Sequence, residues 1–181
     1  MKGNHRFAAG NSLEINRDFA RAKQLATGQS PFAAFLGCAD SRVPVEIVFD
    51  QGFGDLFVNR VAGSVAANEV IASLEFAAQV LKSKVLYVLG HTACGAVTAA
   101  MNGTDLPGQF SGLFQYLWPA IKAAKGDIEV AVQENVRNQA IQIAEASPVI
   151  SKLIQRGEVI VAGGVYNLQT GIVEPVSIDH M

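Results

Sequence analysis

Four short, mostly apolar runs divide the chain, and each is bounded by turn-forming glycine, proline, aspartate or serine residues. Runs of this length that are rich in apolar and aromatic residues are typical of strands buried on both faces. We predict strands over residues 31–37, 55–61, 84–89 and 158–166. A further strand over 172–178 follows a turn at 168–171 and is expected to pair back as an antiparallel edge strand.

Helical periodicity occupies the segments between these strands. Residues 65–81 carry an apolar stripe at helical spacing, and residues 16–28 show a similar pattern that ends at Gly28. We also predict helices over 43–50, 95–101, 110–125, 128–146 and 149–155, with a loop at 102–108. The alternation of strands and helices indicates an α/β fold, in which a central, mainly parallel sheet is flanked by helices.

Composition narrows the class of protein. Half of the 181 residues are hydrophobic and 17% are charged, which provides enough apolar material for one domain spanning residues 1–181. The formal net charge of −2 does not indicate a basic surface for binding nucleic acid. No run reaches the roughly 18 consecutive apolar residues that a membrane-spanning helix needs. We identify no signal peptide and therefore expect a cytoplasmic protein whose cysteines stay reduced.

The two cysteines of the chain, Cys38 and Cys94, lie near the ends of predicted strands. Cys38 follows the run 31–37, and His91 follows the run 85–90, three residues before Cys94. Because strand ends can meet at one edge of a parallel sheet, two thiolates and one imidazole can converge there. Such a set suits a tetrahedral zinc site with its fourth position open. Two other interpretations stay open at this point, namely cysteines that are small buried apolar side chains, and a disulfide between them.

Two motifs carry a resemblance to a known family. Cys-Ala-Asp-Ser-Arg at 38–42 is followed by Gly-His-Thr-Ala-Cys-Gly-Ala at 90–96. Together with the segments 3–7 and 54–63, they resemble the signature of the β-class carbonic anhydrases over nearly the whole chain. The resemblance implies that one zinc ion per chain is bound by Cys38, His91 and Cys94, and that Asp40 and Arg42 form a catalytic dyad. It also implies four parallel strands with a fifth, antiparallel strand, in a tight homodimer that can pair further into a tetramer.

By the same resemblance, the expected activity is the reversible, zinc-dependent hydration of carbon dioxide to bicarbonate and a proton. Zinc lowers the pKa of a bound water to about 7, and the resulting hydroxide attacks carbon dioxide. Asp40 would accept the hydrogen bond of that water, while Arg42 would keep the carboxylate ionised and away from the metal. Outside the motif, Asp40 would instead be interpreted as a helix N-cap and Arg42 as a surface cation.

Other positions match the family in part. Gln29 corresponds to a glutamine that donates a hydrogen bond toward the substrate from across the dimer interface, and the alternative is an ordinary turn residue. Phe57 corresponds to an aromatic residue that lines the substrate pocket, and the alternative is a core phenylalanine. Phe76 stands where one subgroup usually has tyrosine, so a polar contact is missing from the wall of the site. For Arg60 we expect a structural ion pair.

One subgroup of the family binds bicarbonate at a second site, and in its closed state the dyad aspartate moves onto zinc. That second site uses a tryptophan three residues before the first cysteine. In this chain the position is Phe35, which has no indole N–H to donate. We therefore expect an open site in which Asp40 is paired with Arg42.

Two other functions are compatible with the same motifs. A carbonyl sulfide or carbon disulfide hydrolase would keep the zinc site and change the access channel. A non-catalytic zinc-binding scaffold would be favoured if a ligand or a dyad residue were missing, but all of them are present.

Overall fold

The computed structural model describes residues 1–104 and 107–178, and within these ranges the strands form one five-stranded sheet with the order β2-β1-β3-β4-β5. The strands are β1 (Ala33–Gly37), β2 (Leu56–Arg60), β3 (Val85–His91), β4 (Ile160–Tyr166) and β5 (Val173–Val176). The pairs β1–β2, β1–β3 and β3–β4 are parallel, and β4–β5 is antiparallel. The predicted α/β fold with one antiparallel edge strand is therefore confirmed.

Eight α-helices surround this sheet in the described part of the chain. They are α1 (Lys2–Ala8), α2 (Phe19–Gln24), α3 (Val45–Val48), α4 (Asn68–Glu75), α5 (Gly95–Met101), α6 (Phe114–Ala124), α7 (Ile128–Ala146) and α8 (Pro148–Gln155). Short 3-10 turns span Ala62–Ser64 and Phe110–Leu113, and a π-helical turn spans Phe76–Val80. Among the helices at 1–104 and 107–178, none is both long enough and apolar enough to cross a membrane.

The two central strands, β1 and β3, are buried along almost their whole length. Successive side chains point to opposite faces of the sheet. Leu36 and Val88 join a core cluster with residues of α4, α7 and α8. On the other face, Phe35 packs against Phe49 and Tyr87, with ring centroids 4.9 and 5.2 Å apart. Because helices cover both faces, these strands are continuous apolar runs rather than alternating ones.

Helix α7 approaches the sheet closely because glycines lie beneath it. A Cβ atom at Gly90 would lie 2.6 Å from Val136 Cγ2, and one at Gly163 would lie 2.5 Å from Val136 Cγ1. The helix begins at Ile128, and the side chain of its N-cap residue, Asp127, accepts hydrogen bonds from two backbone N–H groups of the first turn. The position of α7 against β3 and β4 is therefore determined by the absence of side chains at two strand positions.

The sheet ends at β5 on its antiparallel side. The β4–β5 hairpin is closed by a hydrogen bond of 2.8 Å from the Asn167 backbone N–H to the Ile172 carbonyl oxygen. Further along this ladder, Pro175 lies opposite Gly164. In an antiparallel pair, hydrogen-bonded and non-hydrogen-bonded positions alternate from the closing pair onward.

The predicted helix over residues 16–28 is wrong in its extent. Helix α2 begins only at Phe19, because Asn16 adopts a left-handed φ of 61° and Asp18 caps the first turn. No residue of α2 is buried, and Phe19 is 83% exposed. The apolar positions of this segment therefore do not form a core-facing stripe within one chain.

Helix α1 lies outside the predicted elements. It is anchored by Asn4, which is fully buried. The Asn4 amide donates to the Gly171 and Val48 carbonyls at 2.8 and 3.2 Å, and its oxygen accepts the Val173 N–H at 2.8 Å. These partners are remote in sequence, so no local pattern indicates the helix.

The predicted helix over 65–81 begins later and changes its geometry. Helix α4 starts at Asn68, and the chain continues from Phe76 to Val80 as a π-helical turn. Before α4, Gly63 and Ser64 have positive φ angles of 75° and 53°. The loop predicted at 102–108 includes residues 105 and 106, which lie outside the described residues.

Candidate metal centre

The first donor atoms of the site are placed by two neighbouring strands. Cys38 directly follows β1, and His91 is the last residue of β3. The parallel register sets Gly37 opposite Leu89, so the two strands end side by side. Cys94 then occupies the N-cap position of α5. One donor atom from each of Cys38, His91 and Cys94 lies within 4.8 Å of the other two, and all three residues are buried.

The imidazole of His91 is oriented as a metal ligand would be. Its Nδ1 atom lies 2.9 Å from the Thr92 carbonyl oxygen, which assigns the ring proton to Nδ1. The Nε2 atom is buried and has no hydrogen-bond partner among the described residues. A buried, unpartnered nitrogen is costly unless a ligand satisfies it. Two sulfurs and this nitrogen are the donor set that zinc prefers, so the residues fit that ion.

The two thiols interact directly, and both are free cysteines rather than a disulfide. The pKa of Cys38 is lowered to about 4, chiefly by its contact with Cys94 and also by His91 and the backbone of Asp40 and Gly63, although burial opposes this. The same contact with Cys38 and burial raise the pKa of Cys94. The pair therefore releases its first proton easily, whereas loss of the second requires a cation in its place.

Asp40 and Arg42 form a bidentate pair beside this cluster. Arg42 Nε donates to Asp40 Oδ1 at 2.9 Å and Arg42 Nη2 to Oδ2 at 2.7 Å, while the Arg42 backbone N–H also donates to Oδ1 at 2.9 Å. These hydrogen bonds hold the pKa of Asp40 well below its usual range. Asp40 Oδ2 lies 3.8 Å from His91 Nε2. The pairing expected from the sequence is present, and the N-cap interpretation is wrong because α3 begins at Val45 with Pro44 as its N-cap.

Arg42 also links the two ligand loops. Its Nη2 atom donates to the Ala93 carbonyl at 3.2 Å, and Ala93 has a left-handed φ of 52° between His91 and Cys94. Arg42 also lines a cavity of about 600 Å³, together with Gln133 and Arg137 of α7. Arg42 thus contacts both ligand loops and borders a solvent-accessible space.

Among the described residues of one chain, Arg60 does not form the ion pair expected from the sequence, and its partners are backbone carbonyls. Arg60 Nε donates to the Cys38 carbonyl at 2.9 Å and Nη2 to the Asp40 carbonyl at 2.5 Å. Arg60 reaches them because it pairs with Gly37, the residue before Cys38, across the β1–β2 ladder. The side chain therefore braces the loop that carries one donor atom and the dyad carboxylate. Backbone acceptors leave no mark in the sequence, so only the register could have indicated this contact.

Gln29 and Phe57 do not join the cluster within one chain. Gln29 is exposed and precedes β1, whereas Cys38 follows it, so the length of the strand separates them. Phe57 lies opposite Ala34 in the first half of the ladder and contacts Phe76, with ring centroids 6.3 Å apart. Either residue could reach a metal centre only in a second subunit.

Comparison with known proteins agrees with the resemblance carried by the two sequence motifs. The carbonic anhydrase family model matches residues 33–173. Carbonic anhydrase 2 of Mycobacterium tuberculosis is 37% identical over 99% of this chain and 90% of its own length. A carbonic anhydrase of Mycolicibacterium smegmatis is also 37% identical, over 95% of this chain and 87% of its own length. The structure of the β-carbonic anhydrase CafA of Aspergillus fumigatus is similar with a TM-score of 0.80, 25% identity and coverage of 98% and 89% of the two chains. The structure of the Coccomyxa β-carbonic anhydrase in complex with acetazolamide is similar with a TM-score of 0.75 and 28% identity. The match covers 97% of this chain and 82% of the Coccomyxa chain. The chain therefore belongs to the β-class carbonic anhydrase family of enzymes.

Proposed function

We propose that this enzyme hydrates carbon dioxide reversibly to bicarbonate and a proton, with one zinc ion held by Cys38, His91 and Cys94. The observation that carries the proposal is the convergence of three buried donor atoms within 4.8 Å of one another. A carboxylate fixed by an arginine lies directly beside them. The named relatives support the same activity, since they are carbonic anhydrases.

The donor set also balances charge. Two thiolates and a divalent cation sum to zero, so the buried centre carries no net charge that the protein must solvate. Asp40 and Arg42 likewise neutralise each other. Both units can therefore exist side by side at this edge of the sheet without a net charge, the donor atoms buried and Arg42 exposed.

Zinc, when bound, supplies a Lewis acid that lowers the pKa of a water ligand to about 7. The residues of the chain orient the reactants. Asp40 Oδ2 accepts a hydrogen bond from the water that reacts with carbon dioxide, and it stays ionised because Arg42 holds the pKa of the carboxyl far below neutral pH. The two hydrogen bonds from Arg42 also keep the carboxylate from turning toward His91 and occupying the substrate's place.

We propose further that the active unit is a homodimer, which can associate into a tetramer, and that Gln29 and Phe57 of one subunit complete the site of the other. Their positions away from the donor cluster of their own chain support this arrangement. Phe76 and Trp118 add exposed aromatic surface, at 45% and 49% exposure. We also propose that residues 1–181 act as a single domain in the cytoplasm, where the thiols stay reduced.

The test combines metal analysis with two parallel assays. We expect one zinc per chain by elemental analysis and rapid hydration of carbon dioxide in stopped-flow measurements. Hydrolysis of carbonyl sulfide is measured on the same preparation. If the zinc-loaded protein hydrolyses carbonyl sulfide but does not hydrate carbon dioxide, the proposed substrate is wrong and carbonyl sulfide takes its place. If it is inactive in both assays, the protein is a zinc-binding scaffold.

A further inference from the structure

The loop at residues 62–66 touches both strands that lead to the donor atoms. Val61, which directly precedes this loop, is hydrogen-bonded on both sides of Cys38: its N–H donates to the Gly37 carbonyl at 3.1 Å, and its carbonyl accepts the Ala39 N–H at 3.3 Å. Ser64 Oγ donates to the Leu89 carbonyl at 3.0 Å, two residues before His91. Gly63 and Ser64 are both in the left-handed region, with φ of 75° and 53°. Glycine adopts such a φ freely, but for Ser64 the conformation is unfavourable and persists only where the surroundings impose it.

Helix α7 supplies those surroundings through two buried carboxamides. Asn135 Nδ2 donates to the Gly63 carbonyl at 2.8 Å, and Gln139 Oε1 accepts the Ala66 backbone N–H at 2.8 Å. The two amides are joined by a hydrogen bond of 3.0 Å from Gln139 Nε2 to Asn135 Oδ1. Gln139 Nε2 also donates to the Tyr116 carbonyl of α6 at 3.0 Å. Both side chains are only 3% exposed.

Two buried carboxamides are unusual at this place, because the side chains around them are apolar. The other buried side chains of the same part of α7 are apolar, among them Val132, Val136 and Ala140. Burying an amide is unfavourable unless its polar atoms are satisfied, and apolar residues would pack there without that requirement. What the amides provide, and apolar residues cannot, is a directional link to the backbone of loop 62–66.

We propose that Asn135 and Gln139 are positioning residues for the metal centre. They hold loop 62–66, and with it the Val61 backbone that is hydrogen-bonded to the residues on either side of Cys38, and so fix the orientation in which Cys38 meets the ion. The inference rests on the proposed zinc function. It adds a third layer to the site, in which α7 positions the loop, the loop positions the backbone on either side of Cys38, and Cys38 would bind the metal.

The experiment compares Asn135→Leu and Gln139→Leu with the parent enzyme. Zinc affinity is measured by competition with a chelator, and the cobalt-substituted proteins are examined by absorption spectroscopy in the thiolate-to-cobalt charge-transfer region. Loss of such an outer contact typically weakens metal binding about 10- to 100-fold. We expect a loss of that size together with a shifted charge-transfer band. Ile143→Val, a conservative substitution at a buried position of α7 outside this network, is the control and should leave both readouts unchanged.

A second variant separates positioning from folding. Asn135→Asp keeps the size of the side chain and its acceptor for Gln139, but it loses the donor to Gly63, so it should reproduce the spectral shift even if Asn135→Leu does not fold. Zinc affinities within twofold of the parent and an unchanged cobalt spectrum in folded variants would overturn the inference. So would equal effects in Ile143→Val. A parent enzyme that binds no zinc would overturn the proposed function itself, and these outcomes are distinguishable because the parent is measured first.

Discussion

At the scale of single residues, the polar chemistry beside the donor atoms is concentrated in one carboxylate. Both oxygens of Asp40 are occupied by Arg42, and one of them faces His91 at 3.8 Å. Asp40 is not itself one of the three clustered donors. Under the proposed function, two roles therefore fall on different residues, binding of the metal and handling of the proton, and point substitutions can test them independently.

We predict that Asp40→Asn retains one zinc per chain but loses about 100-fold or more of the hydration rate, because the amide cannot accept the proton-linked hydrogen bond in the same way. Cys38→Ser should lose zinc and activity together. Elemental analysis and stopped-flow hydration measure the two effects. Asp127→Asn, the same chemical change at the helix cap of α7, is the matched control and should alter neither. A wild-type rate in Asp40→Asn would exclude the role given to this carboxylate.

Much of the site could be predicted at this scale because its donor atoms lie in two short motifs. Cys38, His91 and Cys94 are brought together as expected, and so are Asp40 and Arg42. The contacts of Arg60, Asn135 and Gln139 could not be predicted. Their partners are backbone carbonyl and N–H groups, which every residue carries and no sequence pattern distinguishes.

At the scale of elements, the N-terminal segment is held by one buried carboxylate. Asp50 Oδ2 accepts the Leu13 N–H at 3.0 Å and Arg6 Nε at 2.7 Å, while Oδ1 accepts the Glu14 N–H at 3.2 Å and Arg17 Nη2 at 3.3 Å. The side chain of Asp50 is completely buried. The prediction of a helix over 16–28 failed here because the segment follows these tertiary bonds rather than its own periodicity.

The charge of Asp50 makes this anchor sensitive to pH. Burial alone would raise the pKa of Asp50, but the hydrogen bonds from Leu13, Arg6 and Glu14 lower it overall. Because the folded pKa lies below the unfolded value, the carboxylate stabilises the fold above pH about 4, and this contribution is lost as the pH falls through the folded pKa.

We predict that Asp50→Asn lowers the free energy of unfolding by about 2 kcal/mol at pH 7, since hydrogen bonds to a charged group are lost. The difference between parent and variant should shrink as the pH falls below about 4. Urea titrations across this range provide the measurement. Asp18→Asn, at the exposed cap of α2, serves as control. A difference that stayed constant with pH would contradict the assignment to Asp50.

The contact between α7 and the sheet permits another prediction. In Gly163→Ala the new methyl group would lie 2.5 Å from Val136 Cγ1, and valine cannot turn away freely. We expect a loss of about 1–3 kcal/mol in the free energy of unfolding, as for other overpacked cores. Adding Val136→Ala should make the pair non-additive, because the smaller side chain gives room. Gly112→Ala, where a Cβ meets nothing within 4 Å, should be nearly neutral.

At the scale of the whole molecule, a single chain leaves large aromatic side chains exposed and keeps two of the predicted site residues away from its own donor atoms. Phe19, Phe53 and Trp118 are 83%, 50% and 49% exposed, and Gln29 and Phe57 are remote from the donor cluster. We predict that no stable, active monomer exists. Light scattering and activity are measured together along a dilution series, with zinc content determined in the same fractions. A monomer with full activity per zinc would contradict the completion of the site by a second subunit.

The proline in β5 has a consequence for how such subunits can assemble. Asn167 and Ile172 are a hydrogen-bonded pair, so alternation makes Gly164 and Pro175 a non-hydrogen-bonded pair, whose backbone groups face away from β4. At that outward position proline offers no N–H, and a free edge needs an unbroken row of donors to recruit another strand. At its β5 edge the sheet is therefore protected from growing sideways into a fibre. Substituting valine at this position should raise turbidity during refolding, because it restores the missing donor.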